Sequence, residues 1–317
     1  MAQPANTFST YDNADNIKEA VDNIIRNLDP HETPLLNGLK TGSASSTYEE
    51  WLEDTLAAPI DNKVIEGDDA TTDASSKATR RGNYTQISDK VARVTGTDEA
   101  VAKYGRSSEM DYQIMKKGKE LKTDMEHAVA GLNNARVAGN DTTARELASM
   151  QSWINTNTSF GATGADPTGD GTDARTDGTQ RAFTEDLLKD VLQSCWEQSG
   201  GQATEVYTGA FNRGVFSGFD GNAAQVQHNN SDKRIIATAK VYEGDFHTLT
   251  VVPCRNIRAR DALVIDRNMW EIAYLRPFHT VELAKTGDSE REQLLVEYTL
   301  KSLNEKSSGG VFDLTTS

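Results

Sequence analysis

The 317-residue chain predicts an α+β fold, and three stretches carry that prediction. Between Ser108 and Asn133 the apolar residues Met110, Ile114, Leu121, Met125, Ala128 and Leu132 recur in steps of three, four or seven, which is one buried stripe on an α-helix. From Thr47 to Thr97 two strand-like segments flank a long acidic tip. Near the C-terminus Leu294, Val296, Tyr298 and Leu300 alternate with Glu297, Thr299 and Lys301, the period of a strand with one buried face.

Composition narrows the function classes. With 36% hydrophobic residues the chain is neither disordered nor typical of a compact enzyme, so much of it must run over surfaces. A net charge of −15, from 48 acidic and 33 basic residues, excludes nucleic-acid binding through a basic face. No apolar run approaches the roughly 20 residues of a membrane span. Met1–Pro4 opens a polar stretch without a secretory signal, and Cys195 and Cys254 show no pairing pattern, as expected of reduced thiols.

Taken in order, residues 1–12 read as a loose arm. Ile17, Ala20, Val21, Ile24, Ile25 and Leu28 mark a helix stopped by Pro30, after which Leu35, Leu36 and Leu39 are expected to be buried. Thr47–Asp54, carrying Trp51, and Asn83–Thr97, carrying Tyr84, are the two strands of a projecting hairpin. Its tip, Ala57–Thr79, has little to bury beyond Ile60, Val64 and Ile65; loops this long are functional or disordered. Arg80 and Arg81 at its base either dock a neighbour or are solvated, the commoner fate of such pairs.

The helix 108–133 starts with Ser108 and Asp111 as a capping box, pairs Lys122 with Glu126 one turn apart, and spans about 40 Å at 1.5 Å per residue. Such a rod, wetted on most sides, works as a spine. Thr142–Met150 is expected to form a short helix. Thr184 caps a helix through Leu187, Leu188, Val191, Leu192, Cys195 and Trp196 that ends at Gly200-Gly201. The strand Glu205–Thr208, the helix Ala210–Phe219, and the strands Ile235–Tyr242 and His247–Val252 around a Gly244-Asp245 turn complete a small α/β layer. Ala262–Asp266 is expected to pair with Trp270–Leu275, and Val281–Leu283 with Gln293–Leu303 across Lys285-Thr-Gly-Asp, packing along the spine.

Chemical motifs are scarce. There is no phosphate-cradling glycine loop, no dinucleotide fingerprint and no nucleophile elbow. The histidines His31, His127, His228, His247 and His279 are scattered, without metal-ligand spacing. Asp170, Asp173 and Asp177 within Gly161–Gln180 are oxygen donors of the type calcium takes, but their spacing fits no calcium loop, so this segment reads as a flexible linker. The paired acids Glu49-Glu50 and Glu53-Asp54 are what so acidic a chain contains by chance. No cofactor and no catalytic residue is expected.

Several local stretches, however, recur in a known order. They are Asp29-Pro-His-Glu-Thr-Pro-Leu, Glu50-Trp51 with Asp54, Asn83 with Gln86-Ile87, Val94-Thr-Gly-Thr, Glu120-Leu121 with Glu126, and Trp153-Ile154 with Thr156-Asn157. Asp245-Phe246, Val251-Val-Pro with Arg255, Asp266, Trp270, Leu275-Arg-Pro, Leu283-Ala-Lys-Thr-Gly-Asp and Glu297 with Thr299-Leu300 follow. In that order the chain resembles the major capsid proteins of tailed bacteriophages, the Hong Kong 97-like fold shared with encapsulins and herpesvirus shells. Within that fold it is similar to the phage SU-ten major head protein family.

The resemblance implies an N-terminal arm (1–46), an extended β-hairpin loop, or E-loop, lying over a neighbouring subunit (47–97), and a peripheral domain with the spine helix (98–160). It further implies a flexible Gly/Asp loop (161–182), an axial α/β domain at the five- and six-fold centres (183–260), and peripheral strands with a C-terminal tail (261–317). Trp51, Arg80, Arg81 and Tyr84 are the inter-subunit contacts implied on the hairpin. The implied partners are copies of the chain in hexamers and pentamers, a scaffolding protein, a portal, a cement or decoration protein, and packaged double-stranded DNA touched non-specifically. Neither a membrane nor a cofactor enters; the virion, assembled in the host cytoplasm, is the implied location. The arm is too short for a built-in scaffold, which implies a separate scaffolding protein or a processed form. An encapsulin-type compartment shell is the alternative within the fold, and an acidic calcium-binding surface protein or enzyme the alternative outside it.

Overall fold

The computed structural model describes residues 32–69, 75–199, 202–219, 241–244, 246 and 248–317. The expected arm helix 16–28, the Gly200-Gly201 helix end, most of the strand 235–242 and the turn at Asp245 lie outside them, as do His31, His228 and His247.

The first described element is the short helix α1 (Pro34–Gly38), with proline in its first turn and Leu35 fully buried. Strand β1 (Lys40–Ser43) leads to the hairpin of β2 (Tyr48–Glu53) and β3 (Thr79–Tyr84), paired Tyr48 to Tyr84 through Glu53 to Thr79. The expected second hairpin strand, Asn83–Thr97, is divided at Thr85. Only its first residues belong to the hairpin, and β4 (Gln86–Thr95) enters the body. The short helix α2 (Gly96–Ala100), capped by Thr95, precedes the spine.

The spine helix α3 (Glu109–Ala130) begins where Ser108 Oγ accepts from Asp111 N at 3.1 Å and ends at Gly131. Met110, Leu121, Met125 and Ala128 are buried as the stripe requires, whereas Leu132 lies beyond the helix and is exposed. Glu126 does not pair with Lys122. It is fully buried, accepting from Leu35 N at 2.8 Å, Leu36 N at 3.2 Å and Asn256 Nδ2 at 2.6 Å.

Thr142–Met150 is not helical. Gly139 takes a left-handed φ of +72°, Asn140 closes an Asx turn on Thr142 and Thr143, and Val137 bridges Glu146 in extended form. Asn83 then holds the amide of Ala148 at 2.9 Å. Local side-chain caps here outcompete helix propensity.

Two sheets share the core. The first, ordered β1-β10-β11-β4, contains β10 (Trp270–Glu282) and β11 (Ser289–Ser302), an antiparallel hairpin from Trp270 opposite Ser302 to Glu282 opposite Glu292. It carries Leu294, Val296, Tyr298 and Leu300 on the face toward α3. The second, ordered β5-β12-β9-β6-β8-β7, joins β5 (Thr158–Ser159), β6 (Glu205–Thr208), β7 (Val241–Glu243), β8 (Thr248–Pro253), β9 (Ala262–Ile265) and β12 (Gly309–Val311).

The expected Ala262–Asp266 to Trp270–Leu275 hairpin is therefore absent. Asp266 caps a single 3₁₀ turn, Arg267–Met269, that hands the chain from one sheet to the other. The division at residues 260 and 261 accordingly runs through the six-stranded sheet. Its central strands β12, β9 and β6 are buried on both faces, as strands covered on each side require. Tyr207, Leu263 and Ile265 join the core beneath α3, while Val206, Ala262 and Val264 face helices α4 (Glu185–Gln198) and α5 (Ala210–Ser217). On α4, Leu188, Val191, Leu192 and Cys195 are buried, but Trp196 is exposed and stacks on Phe246 at 5.3 Å.

Candidate assembly surfaces

The root of the hairpin is bolted to the body. Trp51 packs on Trp153 with ring centroids 5.3 Å apart, and its Nε1 donates to Glu53 Oε1 at 3.1 Å. Tyr84 stacks on Tyr48 at 4.6 Å, with the Arg136 guanidinium over the Tyr48 ring. Arg80 is largely exposed and lies 3.7 Å from Glu50, whereas half-buried Arg81 has its Nε 3.3 Å from Glu53. Within one subunit these four residues brace the hairpin's own strands and their junction with the body.

Beneath them lies a buried carboxylate that alternation assigned to the solvent face. Glu297 accepts from Thr85 Oγ1 at 2.8 Å, Arg145 Nη2 at 2.6 Å and Arg276 Nε at 2.7 Å, on the sheet face opposite α3. Glu49 accepts from Lys301 at 2.9 Å; burial would push its carboxyl up, but the Ser45 N–H and the lysine hold it below the usual range.

Past Glu53 the character changes. From Asp54 to Asp69 the described chain forms no strand or helix, apart from the turn at Gly67, where φ is +87°. Leu56 is 99% exposed, Ile60 78%, Val64 84% and Ile65 79%, and Leu52 points out of the hairpin as well. Large apolar side chains left in water at this density mark a surface built to be covered. Leu52 and Leu56 escape a search of the tip alone; the readable signal is the recurrence of aliphatic residues among acids, all without a helical or strand period.

The Gly161–Gln180 segment is a packed loop rather than a flexible linker. Ala165 bridges Thr176, and Asp313 accepts from Gly161 N at 3.0 Å and Gly178 N at 2.9 Å. Arg175, 3% exposed, binds Asp166 at 2.6 Å and lies over the Phe312 ring. Of the three aspartates with calcium-type donors, Asp170 and Asp173 meet at the Thr168 hydroxyl and Asp177 is held apart from them by arginines. Asp170 caps Thr168 and Thr172, Asp173 accepts from Thr168, and Asp177 faces Arg258 and Arg260. Among the described residues no cluster of three metal-ligating side chains occurs, and no helix is long and apolar enough to cross a membrane.

Both cysteines are buried and unpaired, and burial pushes their thiols up to about 12. His127 Nδ1 lies 3.3 Å from the Asn256 carbonyl and His279 Nδ1 2.8 Å from that of Pro277.

Comparison with known proteins decides the family. The model of the SU10 major capsid protein family matches residues 3–315. The chain belongs to that family. The major capsid protein of Escherichia phage Phieco32 is 26% identical over 352 residues, covering 98% of each chain. Two solved structures share the fold: the cyanophage A-1(L) capsid asymmetric unit, with TM-score 0.68 and 13% identity over 98% of this chain and 100% of the other, and the capsid of a native GTA particle, with TM-score 0.66 and 9% identity over 98% and 100%. The gp27 major capsid proteins of phage G, solved with gp26 decoration proteins, match at TM-score 0.54 and 12% identity over 99% and 100%. The chain is a major capsid protein of a tailed phage, a structural subunit of an icosahedral shell with the Hong Kong 97-like fold.

Proposed function

We propose that the hairpin of residues 48–84 is the clasp by which one capsid subunit holds the next. The observation that carries this reading is the aliphatic series Leu52, Leu56, Ile60, Val64 and Ile65, exposed at the end of β2 and along the segment beyond it. Closed shells are built from repeated contacts between copies of one chain, and burying such a segment against a neighbour supplies one. Trp51, Arg80, Arg81 and Tyr84 stiffen the root so that the tip is presented at a fixed place. Their exposed edges, Arg80 above all, meet the neighbour at the rim of the contact.

In the same reading the α3 body with the four-stranded sheet is the peripheral domain. The six-stranded sheet with α4 and α5 is the axial domain around five- and six-fold centres of pentamers and hexamers. A scaffolding protein, a portal and a cement protein complete the assembly in the host cytoplasm, and the acidic subunit encloses double-stranded DNA without gripping it. The chain acts by architecture rather than by catalysis.

Deleting Ile60–Thr79 tests the clasp. The expected outcome is a soluble subunit with an unchanged circular dichroism spectrum that sediments slowly and forms no closed particles by negative-stain microscopy under conditions where the full chain does. Normal particles from the deletion variant would refute the clasp.

A further inference from the structure

The spine helix α3 has two unlike faces. Met110, Leu121, Met125 and Ala128 are buried on one. The other, turned away from the core, carries Met115, Lys116, Lys119 and Lys122, with Lys116 and Lys122 fully exposed to solvent and Lys119 half-buried between them. Residues three apart are neighbours on a helix surface, so the three lysines follow one strip about 9 Å long.

The charge on this strip is unanswered within the subunit. Lys63, Lys90, Lys103, Lys117, Lys285 and Lys301 each pair with a carboxylate. Among the described residues Lys116, Lys119 and Lys122 pair with none, because the acids beside them are taken. Glu120, one turn from Lys116, is held by Lys117 at 2.8 Å, and Asp124 by Lys90 at 2.6 Å. Glu126, one turn from Lys122, is buried under the amides of α1. Like charges one turn apart repel and weaken a helix. The row therefore costs the subunit stability and returns nothing inside it.

The chemistry of the strip selects its ligand. Protein interfaces are depleted of lysine and centre on apolar or aromatic side chains, and here Met115, 53% exposed, is the large apolar group offered beside the lysines. Lysines are separate point charges without the planar fork that arginine presents to a carboxylate, and they serve phosphate oxygens irrespective of base sequence. A DNA duplex carries one negative charge about every 1.7 Å of its axis, so a strip of this length meets several phosphates wherever the duplex lies on it. With a net charge of −15 the chain repels phosphate as a whole, and the strip is a place where that repulsion is locally reversed.

We propose that the outward face of the spine helix, at Lys116, Lys119 and Lys122, lines the interior of the shell and contacts backbone phosphates of the enclosed double-stranded DNA. The inference rests on the reading of the chain as a shell around DNA and adds the surface where wall and duplex touch. Each contact is weak. Repeated in every subunit, the strips fix the outermost turns of DNA along a wall that elsewhere repels them.

Lysine labelling of DNA-filled heads and of the same heads emptied of DNA tests it, with an N-hydroxysuccinimide ester as reagent and mass spectrometry as the readout at each residue. Lys116, Lys119 and Lys122 should label several-fold less in filled heads than in emptied ones, while Lys63 on the hairpin tip keeps one level in both. Equal labelling in the two overturns the proposal. Protection in both overturns it as well, since protein (residues 1–31, a second copy or a scaffold) would then cover the strip. A second measurement uses Lys116→Gln, Lys119→Gln and Lys122→Gln together, which relieve repulsion on an exposed face and so should leave the subunit folded and the shell closed. Image reconstruction of filled heads should show density bridging α3 to the outermost DNA layer in the wild type and in the corresponding triple Lys→Arg variant, and its loss in the glutamine variant. Bridging density that survives in the glutamine variant, or is missing from the wild type, overturns the proposal. If the chain forms no closed particles even with scaffold and portal, the shell reading and the strip fall together; if it forms DNA-filled heads with unprotected lysines, the shell stands and the strip falls.

Discussion

Asp261 is the residue on which solution pH should act most directly. It is 1% exposed, with Arg258 Nη1 and Gln151 Nε2 each 3.4 Å from Oδ2 and Oδ1 unpartnered. Burial pushes its carboxyl up to about 6, against the pull of Arg258, Gln151 and Arg175 and with a further push from Asp177. In the unfolded chain the same group titrates near ~3.9. Between those values the folded subunit holds a proton that the unfolded chain has released, so this group's contribution is full below the lower value and lost as pH rises through the upper one. Asp261→Asn is neutral throughout. Denaturant unfolding of single subunits should show the wild type losing on the order of 1–3 kcal/mol relative to the variant between about pH 4 and pH 7. A difference that stays flat over that range would remove Asp261 from this role.

At the scale of elements, Glu126 ties three parts of the chain together. It caps the first amides of α1 from near the C-terminal end of α3 and holds Asn256 in the segment after β8. Glu126→Ala would leave two buried amides and a carboxamide without an acceptor, at a cost of roughly 2–5 kcal/mol. Glu126→Gln, which keeps an acceptor for α1 but turns a donor toward Asn256, should lose less. Urea midpoints of the two variants check the order, and equal midpoints would contradict it.

What was readable in the sequence follows from the same distinction between local and distant partners. The spine helix and the turn end of the β10–β11 hairpin were legible because their stripe, Ser108 cap and turn chemistry are local, whereas Trp270–Leu275 was expected opposite Ala262–Asp266 and pairs with the far end of β11 instead. Glu126 and Glu297 were not, since both sit at positions that periodicity leaves polar while their partners lie far along the chain. The apolar run 262–265 was readable as a strand but carried no sign of which sheet it would join. Trp196 fits the apolar pattern of α4 yet faces outward because the sheet beneath the helix is already filled by Leu188, Val191, Leu192 and Cys195. The hairpin's presence was legible from its length and polarity, but its end at Thr85 was not, because that depends on β4 pairing with the distant β11.

At the scale of the whole molecule, assembly sets a long-range repulsion against short-range contacts. Each subunit carries a formal charge of −15, so copies repel before any clasp can close. That repulsion acts across the distance salt screens, with Debye lengths of roughly 30 Å at about 0.01 M and 8 Å at about 0.15 M. Burial of Leu56, Ile60, Val64 and Ile65 is not screened, and arginine–carboxylate contacts removed from water are screened much less than exposed charges. Raising ionic strength over that range should therefore increase the assembled fraction at fixed protein concentration, measured by sedimentation velocity. The subunit lacking Ile60–Thr79 should stay unassembled even at the upper end, because screening removes the repulsion without restoring the clasp. Assembly that falls steadily as salt rises would show instead that exposed ion pairs, not buried aliphatic surface, hold the shell together.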